Sequence, residues 1–149
     1  MQHYSERLLV HVKRAEQVTQ AAKEAAVREV GITAAQQAAL AVLSDNPGIN
    51  PGELARRCAM TPQTMNSLLG RLETRGYVDR RPHPLHATLV EIKLTEHGRA
   101  VFEEADALVA HLDERLADGV SEADLAMVRE VLGRITENAA RAMARAGVS

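Results

Sequence analysis

The chain has 149 residues, enough for one domain that buries about two thirds of the surface its unfolded form exposes. It is only 2% aromatic (Tyr4, Tyr77 and Phe102), so a core has to be built from Leu, Val, Ile and Ala, and its single cysteine excludes an internal disulfide. The net charge of −2 excludes a uniformly basic protein, no apolar run approaches the roughly 20 residues of a membrane span, and Met1 leads directly into a charged helix, so a cytoplasmic protein without a secretory leader is expected.

Leu8, Val12, Ala15, Val18, Ala22 and Ala26 recur at helical spacing with no Pro or Gly before Gly31, which predicts one long helix over 3–30. Thr33, with Gln36 three residues on, carries the capping-box pattern of a second helix, which runs through Leu40, Val42 and Leu43 to a turn at 45–48. Ile49 is placed to bridge to a later strand. Asn50, Pro51 and Glu53 then predict a short third helix with a second capping box. Its inner face is Leu54, Ala55 and Cys58, and Arg56 and Arg57 point outward.

A fourth helix follows after about three residues, a separation typical of a helix-turn-helix. Thr61 is its N-cap and Pro62 its first residue, where a missing N–H costs nothing. Met65, Leu68, Leu69 and Leu72 make one apolar face, and Gly76 suits the left-handed position that ends a helix. The other face is Gln63, Thr64, Asn66, Ser67 and Arg71. An ordinary solvated helix would carry Glu and Lys there. Amides, hydroxyls and guanidinium are instead the groups that hydrogen-bond base edges and phosphates.

Residues 77–82 and 89–94 read as two short strands joined by the polar segment HPLHAT, a hairpin wing. Charge is distributed accordingly. Residues 50–94 hold seven Lys/Arg against four Asp/Glu, or +3, while the rest of the chain holds eleven against sixteen, or −5. Phosphate binding depends on the local face and not on the total. Thr95 then caps a helix over about 96–118 with Val101, Phe102, Ala105, Leu108, Leu112 and Leu116 inward, and Gly119 breaks it. Ser121 opens a last helix in which Leu125, Val128, Leu132, Ile135, Ala139 and Ala142 form a heptad-like seam. Residues 146–149 are expected to fray. The fold class is therefore mainly α with a small β wing: a winged helix-turn-helix over about 32–94, with helical layers at 3–30 and 96–146. One winged helix cannot cover all three terminal apolar stripes, and a second copy related by a two-fold axis could.

The stretches ITAAQQAALAVLSDNPGINPGELARRCAMTPQTMNSLLGRLETRGYVDRRP and LVEIKLTEHGRAVFEEA resemble the multiple antibiotic resistance regulator (MarR) family of bacterial transcription regulators. The resemblance covers essentially the whole chain and is densest over 32–105. It implies a single domain, an obligate homodimer with its dimerisation layer in the terminal helices, and a role as a repressor on palindromic double-stranded DNA. It also implies response to a small ligand, often an aromatic or phenolic anion. No cofactor is implied. The DNA-contacting set would be Thr61, Pro62, Gln63, Thr64, Asn66, Ser67, Arg71 and Arg75, with Arg80, Arg81, His83, His86 and Thr88 from the wing. The ligand would lie against Val12, Leu40 and Met65, with His11 or Arg14 pairing its charge. The wing departs from the family pattern, whose tip commonly carries an Arg for the minor groove. HPLHAT has none, which leaves Arg80 and Arg81 at its base for phosphates.

Other chemistries compete. Cys58 offers redox sensing, although the peroxide-sensing relatives use a cysteine in the first helix. His111, with Glu103, Glu104 and Asp106, offers metal sensing without the tight Cys/His spacing of a strong site. A protein-interaction module without DNA binding is the alternative of another class. The chain has no Gly-rich phosphate loop and no recognisable nucleophile–base pair, so an enzyme is not expected.

Overall fold

A computed structural model describes residues 3–147. Six α-helices and one hairpin follow in the order α1 (Leu8–Val27), α2 (Ala34–Asp45), α3 (Pro51–Arg57), α4 (Pro62–Thr74), β1 (Val78–Pro82), β2 (Val90–Leu94), α5 (Glu96–Leu116) and α6 (Glu122–Arg145). The described chain falls into two compact units, one running to Leu112 and the other starting at Asp113.

The first unit holds the core. Val27, Ile32, Leu40, Leu43, Leu54, Met65, Leu69, Leu72 and Ile92 are buried and join one cluster with Val101 and Ala105 of α5. The long helix expected over 3–30 is divided. A short 3-10 turn (Tyr4–Glu6) precedes extended Arg7, α1 follows, and a second 3-10 turn (Arg28–Val30) leads to left-handed Gly31. Of the α1 stripe, Leu8 and Val18 are more than half exposed, and Val27 is the only buried residue of the helix.

Capping explains most of the boundaries. The Thr33 hydroxyl accepts from Gln36 N, and the Gln36 side chain accepts from Thr33 N, so the first capping box is complete. Glu24 of α1 adds a carboxylate on Ala34 N at 2.8 Å, which ties α1 to the start of α2. The second capping box is half made. Asn50 Oδ1 accepts from Glu53 N at 2.9 Å, but the Glu53 carboxylate turns to Arg56 and Arg57 of the next turn. Two cations outbid one backbone N–H, because charge-assisted bonds are the stronger ones.

The α4 end is a Schellman motif: Tyr77 N–H donates to Leu72 O, Gly76 N–H donates to Glu73 O, and Gly76 is left-handed at φ 72°. That motif consumes the Tyr77 N–H, so the strand starts at Val78 instead of 77. Leu89 likewise lies in the hairpin loop, where its carbonyl accepts from His83 N at 2.7 Å. The strands pair antiparallel from Val78 with Leu94 to Pro82 with Val90, and Ile49 bridges to Ile92 as expected.

In the second unit, left-handed Gly119 precedes the Ser121 cap, whose hydroxyl accepts from Asp124 N at 3.1 Å. No described residue of α6 is buried. Val128 and Leu132 of the expected seam are 48% and 47% exposed. Ala146 caps α6 and Gly147 is left-handed; the remaining residues of the expected frayed end lie outside the described ones.

Candidate nucleic-acid interface

α3 and α4 form a tight two-helix unit. The turn between them is itself a Schellman motif, with Met60 N–H donating to Ala55 O and Ala59 N–H donating to Arg56 O. Ala59 therefore adopts φ 51°, the one non-glycine left-handed residue among those described. Thr61 then starts α4 by accepting from Thr64 N at 3.2 Å, while its hydroxyl donates to Thr64 Oγ1 at 2.9 Å. Met65, Leu68, Leu69 and Leu72 anchor the helix in the core.

The opposite face is held out by that anchoring. Pro62, Gln63, Thr64, Asn66, Ser67 and Arg71 are all exposed. The side chains of Gln63, Asn66, Ser67 and Arg71 make no hydrogen bond or ion pair within the described residues. An open hollow of about 450 Å³ lies where Gln63, Thr64, Ser67 and Arg71 face Thr33 and Gln36 at the start of α2. Sequence reasoning did not connect Thr33 and Gln36 with this face, because the capping box explains both residues locally.

The remaining expected contacts are less free. Arg80 is half-buried, and its Nε donates to Glu73 Oε2 at 2.8 Å. Arg81 is exposed and reaches Asp79 at 3.3 Å. Arg75 Nη1 donates to the Gly31 carbonyl at 2.7 Å, and its guanidinium lies 4.7 Å from the Tyr77 ring centre. His83 Nδ1 accepts from Leu85 N at 3.1 Å, and its Nε2 is 3.5 Å from Glu91. His86, Thr88 and, at 82%, Leu85 are exposed at the wing tip.

Of the five expected ligand contacts, two lie together in one buried cluster. Leu40 and Met65 are fully buried in the core, Val12 is half-buried and His11 is exposed. Arg14 lines a hollow on α1 with Tyr4, Arg7, Leu9, Val10 and Lys13. The periodicity of α1 carried no information on which of its residues would meet α2. Cys58 is half-buried, and burial pushes its thiol above the ordinary value against the opposing charge of Lys23. Such a thiol is mostly protonated at neutral pH and reacts slowly. Among the described residues, no group of three or more His, Cys, Asp or Glu is arranged to hold a metal ion, and no helix is long and apolar enough to cross a membrane.

The MarR family profile matches residues 30–87. The HTH-type transcriptional repressor Rv2887 of Mycobacterium tuberculosis is 37% identical over 92 residues, 62% of this chain and 66% of that protein. Protein Mb2034c of Mycobacterium bovis is 34% identical over 110 residues, 74% of this chain and 76% of its own. The transcriptional repressor CouR, solved bound to a 23-mer DNA duplex, superposes with a TM-score of 0.83 at 29% identity, over 89% of this chain and 94% of that one. Rv2887 solved with p-aminosalicylic acid gives 0.70 at 29%, over 87% and 98%. With the winged helix-turn-helix and these relatives in hand, the chain belongs to the MarR family.

Proposed function

We propose that this chain is a sequence-specific transcriptional regulator, a repressor that binds a palindromic DNA operator as a homodimer in the cytoplasm. One observation carries the reading. The outer face of α4 presents Gln63, Asn66, Ser67 and Arg71 with no partner inside the described protein, on a helix whose inner face is wholly buried. A rigid helix bearing unpaired amides, a hydroxyl and a guanidinium suits the major groove. The local charge of +3 over residues 50–94 supports it. Pro62, Thr61 and Thr64 would set the helix start against the backbone, Arg81 would reach phosphates, and Arg80 would do so only by giving up Glu73. His83, His86 and Thr88 would form a wing contact without the guanidinium that enters the minor groove.

The dimerisation layer would be drawn from residues 3–30 and 96–146, and the winged helix from about 32–94. The bare apolar residues of α1 and α6 support this division. CouR bound to DNA and Rv2887 bound to p-aminosalicylic acid support a regulator released by an aromatic acid. The hollow holding Arg14, Arg7 and Lys13 offers cationic groups for its carboxylate.

The test is a mobility shift on DNA flanking the protein's own coding region, with a scrambled duplex as competitor. Retained binding under scrambled competitor supports the reading, and equal competition by both duplexes overturns it. Salicylate is then titrated into the complex. Release by salicylate that needs more ligand in Arg14→Ala supports the α1 hollow, and release that is equally easy in Arg14→Ala removes that residue from the site.

A further inference from the structure

The end of α4 meets two other segments of the first unit at one point. Arg75 donates Nη1 to the carbonyl of Gly31, 44 residues away, at 2.7 Å. Gly31 closes the 3-10 turn between α1 and α2. The same guanidinium lies over the ring of Tyr77, 4.7 Å from its centre. Tyr77 is 5% exposed, and His97 of α5 is its other ring neighbour, at 4.9 Å. The backbone is fastened there too. Thr95 N donates to Tyr77 O at 3.1 Å, and the Thr95 hydroxyl donates to Gly76 O at 2.6 Å. There is no slack, because a Cβ on Gly98 would stand 1.8 Å from Tyr77 O. The guanidinium thus joins the α1–α2 junction to the α4–β1 turn, and that turn is fastened in its own right to the start of α5.

We infer that Arg75 is a positioning residue for DNA recognition: it sets the angle of α4 against the α1–α2 junction, with the α4–β1 turn fastened to the root of α5, and is not a phosphate contact. The inference rests on the reading of α4 as the recognition helix. Planarity is what the site uses. A guanidinium can stack on a ring while donating in its own plane, whereas an ammonium keeps the charge and loses that fork. A phosphate contact is distinguished by its charge, which a lysine keeps and which the salt dependence of binding reports. The geometry also gives the joint a consequence: a displacement of the α1–α2 junction is transmitted to the end of α4 through this bond.

The experiment compares Arg75→Lys, Arg75→Ala and Arg71→Ala with the unmodified protein. Each is measured on a duplex that the unmodified protein enriches from a random-sequence pool and on a scrambled duplex, over a series of salt concentrations. The readout is the ratio of the two affinities, because a loss of folded protein lowers both alike and leaves the ratio unchanged. Arg75→Ala and Arg75→Lys are expected to lower the ratio about tenfold, the scale of one hydrogen bond to a charged group. Their salt dependence should match the unmodified protein, while Arg71→Ala should lose about 0.9 from the slope if it contacts one phosphate. The inference is overturned if Arg75→Lys keeps the full ratio, or if Arg75→Ala loses that slope. If the unmodified protein enriches no duplex at all, the reading of α4 itself falls, and this inference with it.

Discussion

α4 and α6 are both amphipathic helices opened by a hydroxyl cap, and they resolve their apolar faces in opposite ways. α4 buries Met65, Leu68, Leu69 and Leu72 within its own protomer and leaves a polar face bare. α6 buries nothing among its described residues, and its apolar residues Val128, Val131 and Leu132 are 37–48% exposed. The same helical periodicity therefore marks a core in one place and a surface without cover in the other. The difference is what a helix has to pack on. α4 sits within a cluster drawn from α2, α3, β2 and α5, whereas the second unit consists of one helix and the end of another. We propose that a second copy covers this stripe.

The largest effect is expected at Leu132. Leu132→Asp puts an unpaired charge in the expected seam, so light scattering should give a monomer and operator binding should be lost. A dimer that survives the change would place the interface elsewhere. Leu69→Ala tests the other helix: a fully buried leucine cut to alanine costs roughly 2–5 kcal/mol. Urea melts should show that loss directly, and its size should not vary with protein concentration as the effect of Leu132→Ala must. Loss of Leu69 packing with no change in the melt would contradict the burial of α4. On the bare face, Asn66→Ala should cost roughly 1–3 kcal/mol of discrimination between operator and scrambled duplex with an unchanged melt. An unaltered discrimination would remove Asn66 from base readout.

Smaller effects sharpen the scaffold under α4. Ala59 holds a left-handed position that glycine takes without strain, so Ala59→Gly should stabilise the protein by up to about 1 kcal/mol, net of the extra freedom glycine has when unfolded. A destabilised Ala59→Gly would mean that the turn is held by something other than its Schellman bonds. Glu53 titrates low, through its hydrogen bonds first to Arg56 and then to Arg57. A depressed carboxylate stabilises above its ordinary value near 4.5 and loses that contribution as pH falls through the lower folded value. Glu53→Gln should therefore flatten the acid limb of stability slightly, and an acid limb identical to that of the unmodified protein would assign the pair no weight, as for many exposed ion pairs.

Helix starts were legible because they are local. Thr33, Asn50, Thr61, Thr95 and Ser121 all cap where the residue pattern puts them, each accepting from a backbone N–H three residues on. The hairpin and the Ile49 bridge were legible because β-branched residues and turn residues alternate there. The polar face of α4 followed from the apolar one. Long-range pairings left no local trace. Arg75 with Gly31, Arg80 with Glu73 and Glu24 with the start of α2 each join residues that no period relates. Arg75 and Arg80 look from the sequence like free cations beside a recognition helix, and the fold gives both of them partners. Leu40 and Met65, named as ligand contacts through the family resemblance, are core residues in the fold.

Two copies are expected to present two α4 faces to successive major grooves, about 34–36 Å apart. Light scattering of the unmodified protein, titrated with a palindromic duplex enriched from a random pool, tests it most directly. The account predicts a complex of two chains per duplex that a scrambled duplex does not displace. A single chain per duplex, or free exchange with the scrambled duplex, would contradict it.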